Sequence, residues 1–137
     1  MDYITPKDYF AGYADSDEIS QLHRSHAAGM LVMVNKLLGY AVTKGVRLQV
    51  NPVTRTQVSG EKDGGWRPQA CPIGAPLSAH KQGMAVDVYD PDGALDDFLT
   101  DEILRDFGLY REHPASTRGW CHLTTRAPGS GKRTFYP

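Results

Sequence analysis

The sequence predicts an α+β domain in which a small antiparallel sheet is flanked by helices, and three observations lead there. Ile19, Leu22, His26, Met30, Met33, Leu37 and Tyr40 recur at helical spacing over residues 17–43. The segments "VRLQVNP", "MAVDVY" and "GWCHLTT" have the composition of short strands, two of them separated by a helical stretch. At 137 residues and 40% hydrophobic content, the chain is long enough for one core and too short for two, so helices and strands share a single domain spanning 1–137.

Taken in order, Thr5 and Pro6 ahead of "KDYFAG" predict a short capped helix, because threonine caps and proline suits the first turn. The long helix follows from about Asp17 to Thr43, with Gly45 as its stop signal. "VRLQVNP" alternates as a half-buried strand, which "VTRTQVSG" continues or pairs with as a hairpin. "GEKDGGWRPQACPIGAP" is dense in glycine and proline and reads as loop. "MAVDVY" is the next strand, "DPDG" a turn, and "ALDDFLTDEILRDFG" a helix with Leu95, Phe98, Ile103, Leu104 and Phe107 on one face. "GWCHLTT" is a strand, and "RAPGSGKRTFYP" a tail.

Fifteen basic against sixteen acidic residues leave a formal net charge of −1, without the surplus of Lys and Arg that nucleic-acid binding needs. The apolar stretch "AAGMLVMVNKLLGYAV" is interrupted by Asn35 and Lys36 and falls short of a membrane span. No secretory signal is visible at the start, so synthesis and folding in the cytoplasm are expected, with Cys71 and Cys121 as reduced thiols rather than a disulfide.

The chemistry concentrates in "SAHKQGMAVDVYD". Strand alternation sets Asp87 with Ala85 and Tyr89 on the face opposite Val86 and Val88, so the aspartate looks into a cleft while the valines fill the core. Gly83 lets the backbone turn sharply enough to bring His80 back over that face. On "GWCHLTT" the same alternation groups Trp120, His122 and Thr124, and turns Cys121 and Leu123 away. Two imidazoles and one carboxylate around an open fourth position make a catalytic type of zinc site, in which the ion acidifies a water and polarises a carbonyl.

"SAHKQGMAVD" with "GWCHL" resembles the zinc D-Ala-D-Ala carboxypeptidase family, whose fold is shared by Hedgehog signalling domains, some cell-wall endopeptidases and phage endolysins. The resemblance extends to "VNKLLGYAVTKGVRLQV", a helix leading into a strand, and to "GGWRP". It implies His80, Asp87 and His122 as ligands of a Zn2+ ion, and Arg67 as the arginine that contacts substrate, with Arg55 as the alternative. Ser78, at the head of the motif, either hydrogen-bonds substrate or caps the loop ahead of His80. The implied activity is hydrolysis of a peptide bond in peptidoglycan stem peptides, as a carboxypeptidase or an endopeptidase of the phage endolysin-like branch. Without a visible signal, such an enzyme reaches the cell wall after lysis or as part of a virion.

The chain departs from the family at the general base. Members carry a glutamate three residues before the final histidine, a histidine two before it, or an aspartate two after it; here Gly119, Trp120 and Thr124 stand there. The nearest upstream carboxylate is Glu112, in a loop with His113 beside it, ten residues from His122 across a proline. A catalytically inactive zinc-binding structural or cell-wall-binding module is therefore the alternative. "GSGKRT" lacks the glycine and hydroxyl of a phosphate loop, "DPDG" lacks the downstream glutamate of a calcium loop, and His23 and His26 on the long helix make no site.

Overall fold

The computed structural model describes residues 2–137 and shows an α+β fold with a small four-stranded mixed sheet. Helix α1 (Pro6–Phe10) opens with a capping box: Thr5 Oγ1 accepts from the Asp8 amide, and the Asp8 carboxylate accepts from the Thr5 amide. The long helix α2 (Gln21–Thr43) begins with a second such box, in which His23 Nδ1 accepts from the Ser20 amide. Asn35, the polar break in the apolar run, docks the N-terminal segment: its Oδ1 accepts from Tyr3 and Ile4 amides, and its Nδ2 donates to Ile4 O. Met30, Leu31, Val34, Leu37 and Leu38 of α2 share one core with Val86, Val88, Cys121 and Leu123 of the sheet. Among the described residues no helix is long and apolar enough to cross a membrane.

Strand β1 (Ala85–Asp90) is followed by α3 (Ala94–Phe98), α4 (Asp101–Asp106), β2 (Tyr110–Glu112), β3 (Gly119–Thr124) and β4 (Thr134–Phe135). The sheet order is β1-β3-β2-β4, so the two long strands pair directly across an inserted helical excursion. β1 runs antiparallel to β3, as expected, and so does β2, whereas β4 joins the far edge parallel to β2, which makes the sheet mixed rather than antiparallel.

Four local expectations change, the first being the tail 126–137, which supplies β4 because its end pairs with β2. The stretch 46–58 forms no strand; Val50 and Val53 are exposed and a tight turn is closed by Asn51 N–H donating to Thr56 O. Asn51 Nδ2 donates to the Val58 and Gly60 carbonyls, satisfying groups that a partner strand would otherwise take, and only an isolated bridge from Val58 to Val88 reaches the sheet. The single helix expected over "ALDDFLTDEILRDFG" is two, because Leu99 is extended and Thr100 starts α4 as a fresh cap over Ile103 N–H. Glu112, expected in a loop, closes strand β2.

Candidate metal centre

The β1–β3 register places Asp87 opposite His122, with Val86 opposite Leu123 and Val88 opposite Cys121 on the core side. Directly opposed residues share a face. On β2, Arg111 pairs with Leu123, so the next step of the same register sets Glu112 beside His122; on β4, Phe135 pairs with Glu112. One row therefore crosses the whole sheet on the cleft face: Asp87, His122, Glu112, Phe135. Its contacts agree, with Glu112 Oε1 at 3.9 Å from His122 Nε2 and the Phe135 ring edge-on to the His122 ring. On the core face Arg111 donates to Asp96 Oδ1 and to the Asp96 and Leu99 carbonyls, and burial holds the Cys121 thiol protonated beside Asp96.

His80 arrives from a 3-10 turn over Ala79–Gln82, capped by Ser78 Oγ, which accepts from the His80 amide. The turn ends at Gly83 in the left-handed region, φ +78°, where a Cβ would also stand 2.6 Å from His23 O; only glycine satisfies both demands. Helix α2 braces this turn, since His26 Nδ1 donates to Gln82 O at 2.9 Å. Nearby, His23 Nδ1 accepts from Trp66 Nε1 at 3.2 Å, fixing the stretch that leads into Arg67. The two histidines set aside in the sequence thus support the site from behind.

Three ligand-type atoms converge: Asp87 Oδ1 lies 2.9 Å from His122 Nδ1 and 3.3 Å from His80 Nε2, and the group as a whole falls within 4.8 Å. All three residues are buried. His80 Nδ1–H donates to Gly65 O at 2.8 Å, which leaves the Nε2 lone pair pointing at the carboxylate. His122 Nδ1–H can donate to Asp87 Oδ1, but the His80 Nε2 lone pair and the carboxylate repel each other unless a proton or a metal ion lies between them. Arg67 Nη2 takes the other carboxylate oxygen, Asp87 Oδ2, at 3.2 Å, so Oδ1 alone faces the ligand position. The donor set and its supporting hydrogen bonds fit a metal ion, and His80, Asp87 and His122 would hold it.

Electrostatics follow the same geometry. Burial works to raise the Asp87 pKa, yet the imidazoles of His80 and His122 outweigh it by charge and hydrogen bonding, and the carboxyl is held well below the usual range. Burial pushes His122 down, but the hydrogen bond and charge of Asp87, together with Glu112, lift it above the ordinary 6.5. A raised imidazole contributes stability that is complete below its unfolded pKa and is lost as pH rises through the folded one. Asp87 is ionised in both states over this window and adds no slope. In chelator, the melting temperature is thus expected to fall from about pH 6 to about pH 8 on account of this group. With saturating metal it is expected to rise over the same range, because the ligand nitrogen must shed its proton to bind. Thermal melts with and without chelator check the opposite slopes; parallel curves would mean that His122 does not bind the ion.

The triad floors an open cleft of about 600 Å³. Of the residues expected at the site, Arg67, Ser78, His80, Asp87, Glu112 and His122 all line it. Arg55, the alternative arginine, is exposed in the 51–56 turn and does not line it, and His113 instead caps the following turn and stacks on Tyr136 at 4.5 Å. Cys71 and Cys121 are free thiols, as expected, and both are buried. Gly119, at the family's glutamate position, has φ +99°, a conformation a glutamate would adopt only with strain. Sequence reasoning missed Phe135 and Arg126 as cleft residues; the period-two face Trp120, His122, Thr124, continued past the strand end, was the available signal for Arg126. Comparison with protein-family models, curated proteins and solved structures finds no match to this chain.

Proposed function

We propose that the chain is a zinc-dependent hydrolase of a peptide bond in peptidoglycan stem peptides. The observation that carries this reading is the row Asp87, His122, Glu112: a carboxylate that no sequence motif supplied stands on the cleft face beside the metal-binding group. Two imidazole nitrogens and one carboxylate oxygen, with no thiol, suit zinc with a position left open. When bound, zinc would supply Lewis-acid polarisation of the scissile carbonyl and a water acidified toward neutral pH.

The chain's own groups do the rest. Glu112, with its side chain 23% exposed, keeps access to water, and as the one acidic side chain of the cleft besides Asp87 it takes the proton from the attacking water and passes it to the leaving amine. Arg67 keeps Asp87 ionised and aimed, and its positive charge at the wall of the cleft favours negative charge growing on the carbonyl oxygen. Ser78 holds the His80 turn in place through its hydroxyl. The likeness of "SAHKQGMAVD" and "GWCHL" to the zinc D-Ala-D-Ala carboxypeptidases supports stem peptides as the substrate class, with action at the cell wall after lysis or from a virion.

Zinc-loaded protein incubated with purified peptidoglycan is expected to release fragments whose masses reveal newly cut stem peptides. Intact material after prolonged incubation with fully loaded protein would instead favour the inert zinc module, a reading to which the glycine at position 119 points.

A further inference from the structure

Arg126 is the cation of the cleft that no internal carboxylate claims. Arg67 is buried and committed: Nε donates to Asp63 O at 2.7 Å, Nη2 to Asp87 at 3.2 Å, and Nη1 to Ile73 O at 3.5 Å. Arg126 differs in every respect. It is half-buried, two residues past the end of β3, and among the described residues no carboxylate lies within ion-pair distance of it. Its Nη1 is nonetheless fixed by two neutral acceptors, Leu77 O at 2.7 Å and Gln82 Oε1 at 2.9 Å, and its backbone amide by Thr124 Oγ1 at 3.0 Å. The guanidinium is thus held in one orientation from one edge, with Nε and Nη2 left without a partner on the side chain's other edge.

Such a group is pre-organised for a planar anion, because a fork with one edge anchored and the other edge free matches the two oxygens of a carboxylate. The charge around it agrees. Among the side chains lining the cleft, Asp87 and Glu112 balance Arg67 and Arg126, so a divalent ion on the triad leaves an excess of positive charge for a ligand to neutralise. The anchors also tie Arg126 to both ends of the stretch carrying His80, since Leu77 precedes that turn and Gln82 closes it. The cation's position relative to the reacting centre is therefore set by the same turn that sets a ligand.

We infer that Arg126 is a specificity-determining residue that binds a carboxylate of the substrate, an inference that rests on the stem-peptide reading of the cleft. A stem peptide offers two such groups, the C-terminal carboxylate and the free α-carboxylate of its γ-linked D-glutamate. Both present the same chemistry to the guanidinium.

Calorimetric titration of zinc-loaded protein separates them. The probes are L-Ala-γ-D-Glu-L-Lys-D-Ala-D-Ala, its C-terminal amide, and its isoglutamine form, in which only the internal carboxylate is amidated. One of the two amidations is expected to weaken binding by about ten- to hundredfold, the range for a charge-assisted hydrogen-bonded pair. That penalty is expected to vanish in Arg126→Gln and to survive in part in Arg126→Lys, which keeps the charge and loses the fork. Circular dichroism and zinc content confirm that each variant is folded and loaded, and the wild-type comparison needs no variant at all. Equal affinity for all three peptides, no binding to any, or a penalty undiminished in folded Arg126→Gln would overturn the inference. Scoring the same peptides for cleavage keeps it distinct from the hydrolase reading. A carboxylate preference without cleavage retires hydrolysis and leaves the subsite, while cleavage without a preference does the reverse.

Discussion

Alanine in place of His122 is expected to yield a folded protein that no longer retains metal. The side chain lines an open cleft rather than the packed core, so its removal opens space to water instead of leaving an apolar void. The loss at the site is large because a three-ligand group cannot spare one: affinity should fall by roughly a thousandfold or more, against the ten- to hundredfold typical of an outer supporting partner. Arg67→Leu supplies that internal comparison, since it removes the group holding Asp87 Oδ2 and its bonds to the Asp63 and Ile73 carbonyls but no ligand atom. Metal analysis by mass spectrometry after dialysis gives the answer. Stoichiometric zinc persisting in His122→Ala would remove the central assignment, and equal losses in the two variants would show that the His122 ring only supports the site.

Glu112→Gln is expected to lower turnover by a factor of about a hundred or more while the metal stays bound, the size of effect that a positioned general base contributes. Glutamine keeps the shape and a hydrogen-bonding oxygen but takes no proton. The 3.9 Å gap to His122 Nε2 makes this substitution discriminating. Were Glu112 only to orient the imidazole from its far nitrogen, its replacement would weaken metal affinity and move kcat little. Steady-state rates at saturating zinc, paired with zinc titrations, separate the two roles, and a rate unchanged by the substitution would take proton transfer away from Glu112.

The parts of this molecule that could be read from the chain are those whose signal is local. Helix α2 repeats its apolar residues over six turns, and β1 and β3 each alternate for six residues, so the faces carrying Asp87 and His122 followed from period two alone. His80 followed from Gly83. What escaped reading depends on partners distant in sequence. β2 is three residues long, too short to show alternation, so Glu112 could be named from the sequence as a candidate but not placed: it reaches the cleft only because β3 returns beside it. β4 lies in a stretch whose glycines and proline read as tail, and pairing with β2 makes it a strand. The opposite error at 46–50 has the same origin: apolar alternation is present, but Asn51 satisfies neighbouring carbonyls from its side chain and no strand comes to pair. Arg126 lies past the end of a strand, where the period-two rule stops being applied although the chain still follows it for one more step.

Pairing Asp87 with His122 across the β1–β3 seam also bears on how the chain finds its fold. A slip of one residue between these strands would turn Cys121 and Leu123 to the cleft and His122 to the core, and the hydrophobic pattern rejects it. A slip of two residues is harder to reject, because every apolar side chain stays on its proper face. That error moves Asp87 away from His122 by about 7 Å, twice the rise per residue of an antiparallel strand, and leaves a buried carboxylate beside the wrong neighbours. The ligand pair therefore proofreads an ambiguity that core packing tolerates. A cation arriving during folding would select, among strand alignments of similar apolar burial, the single alignment able to bind it.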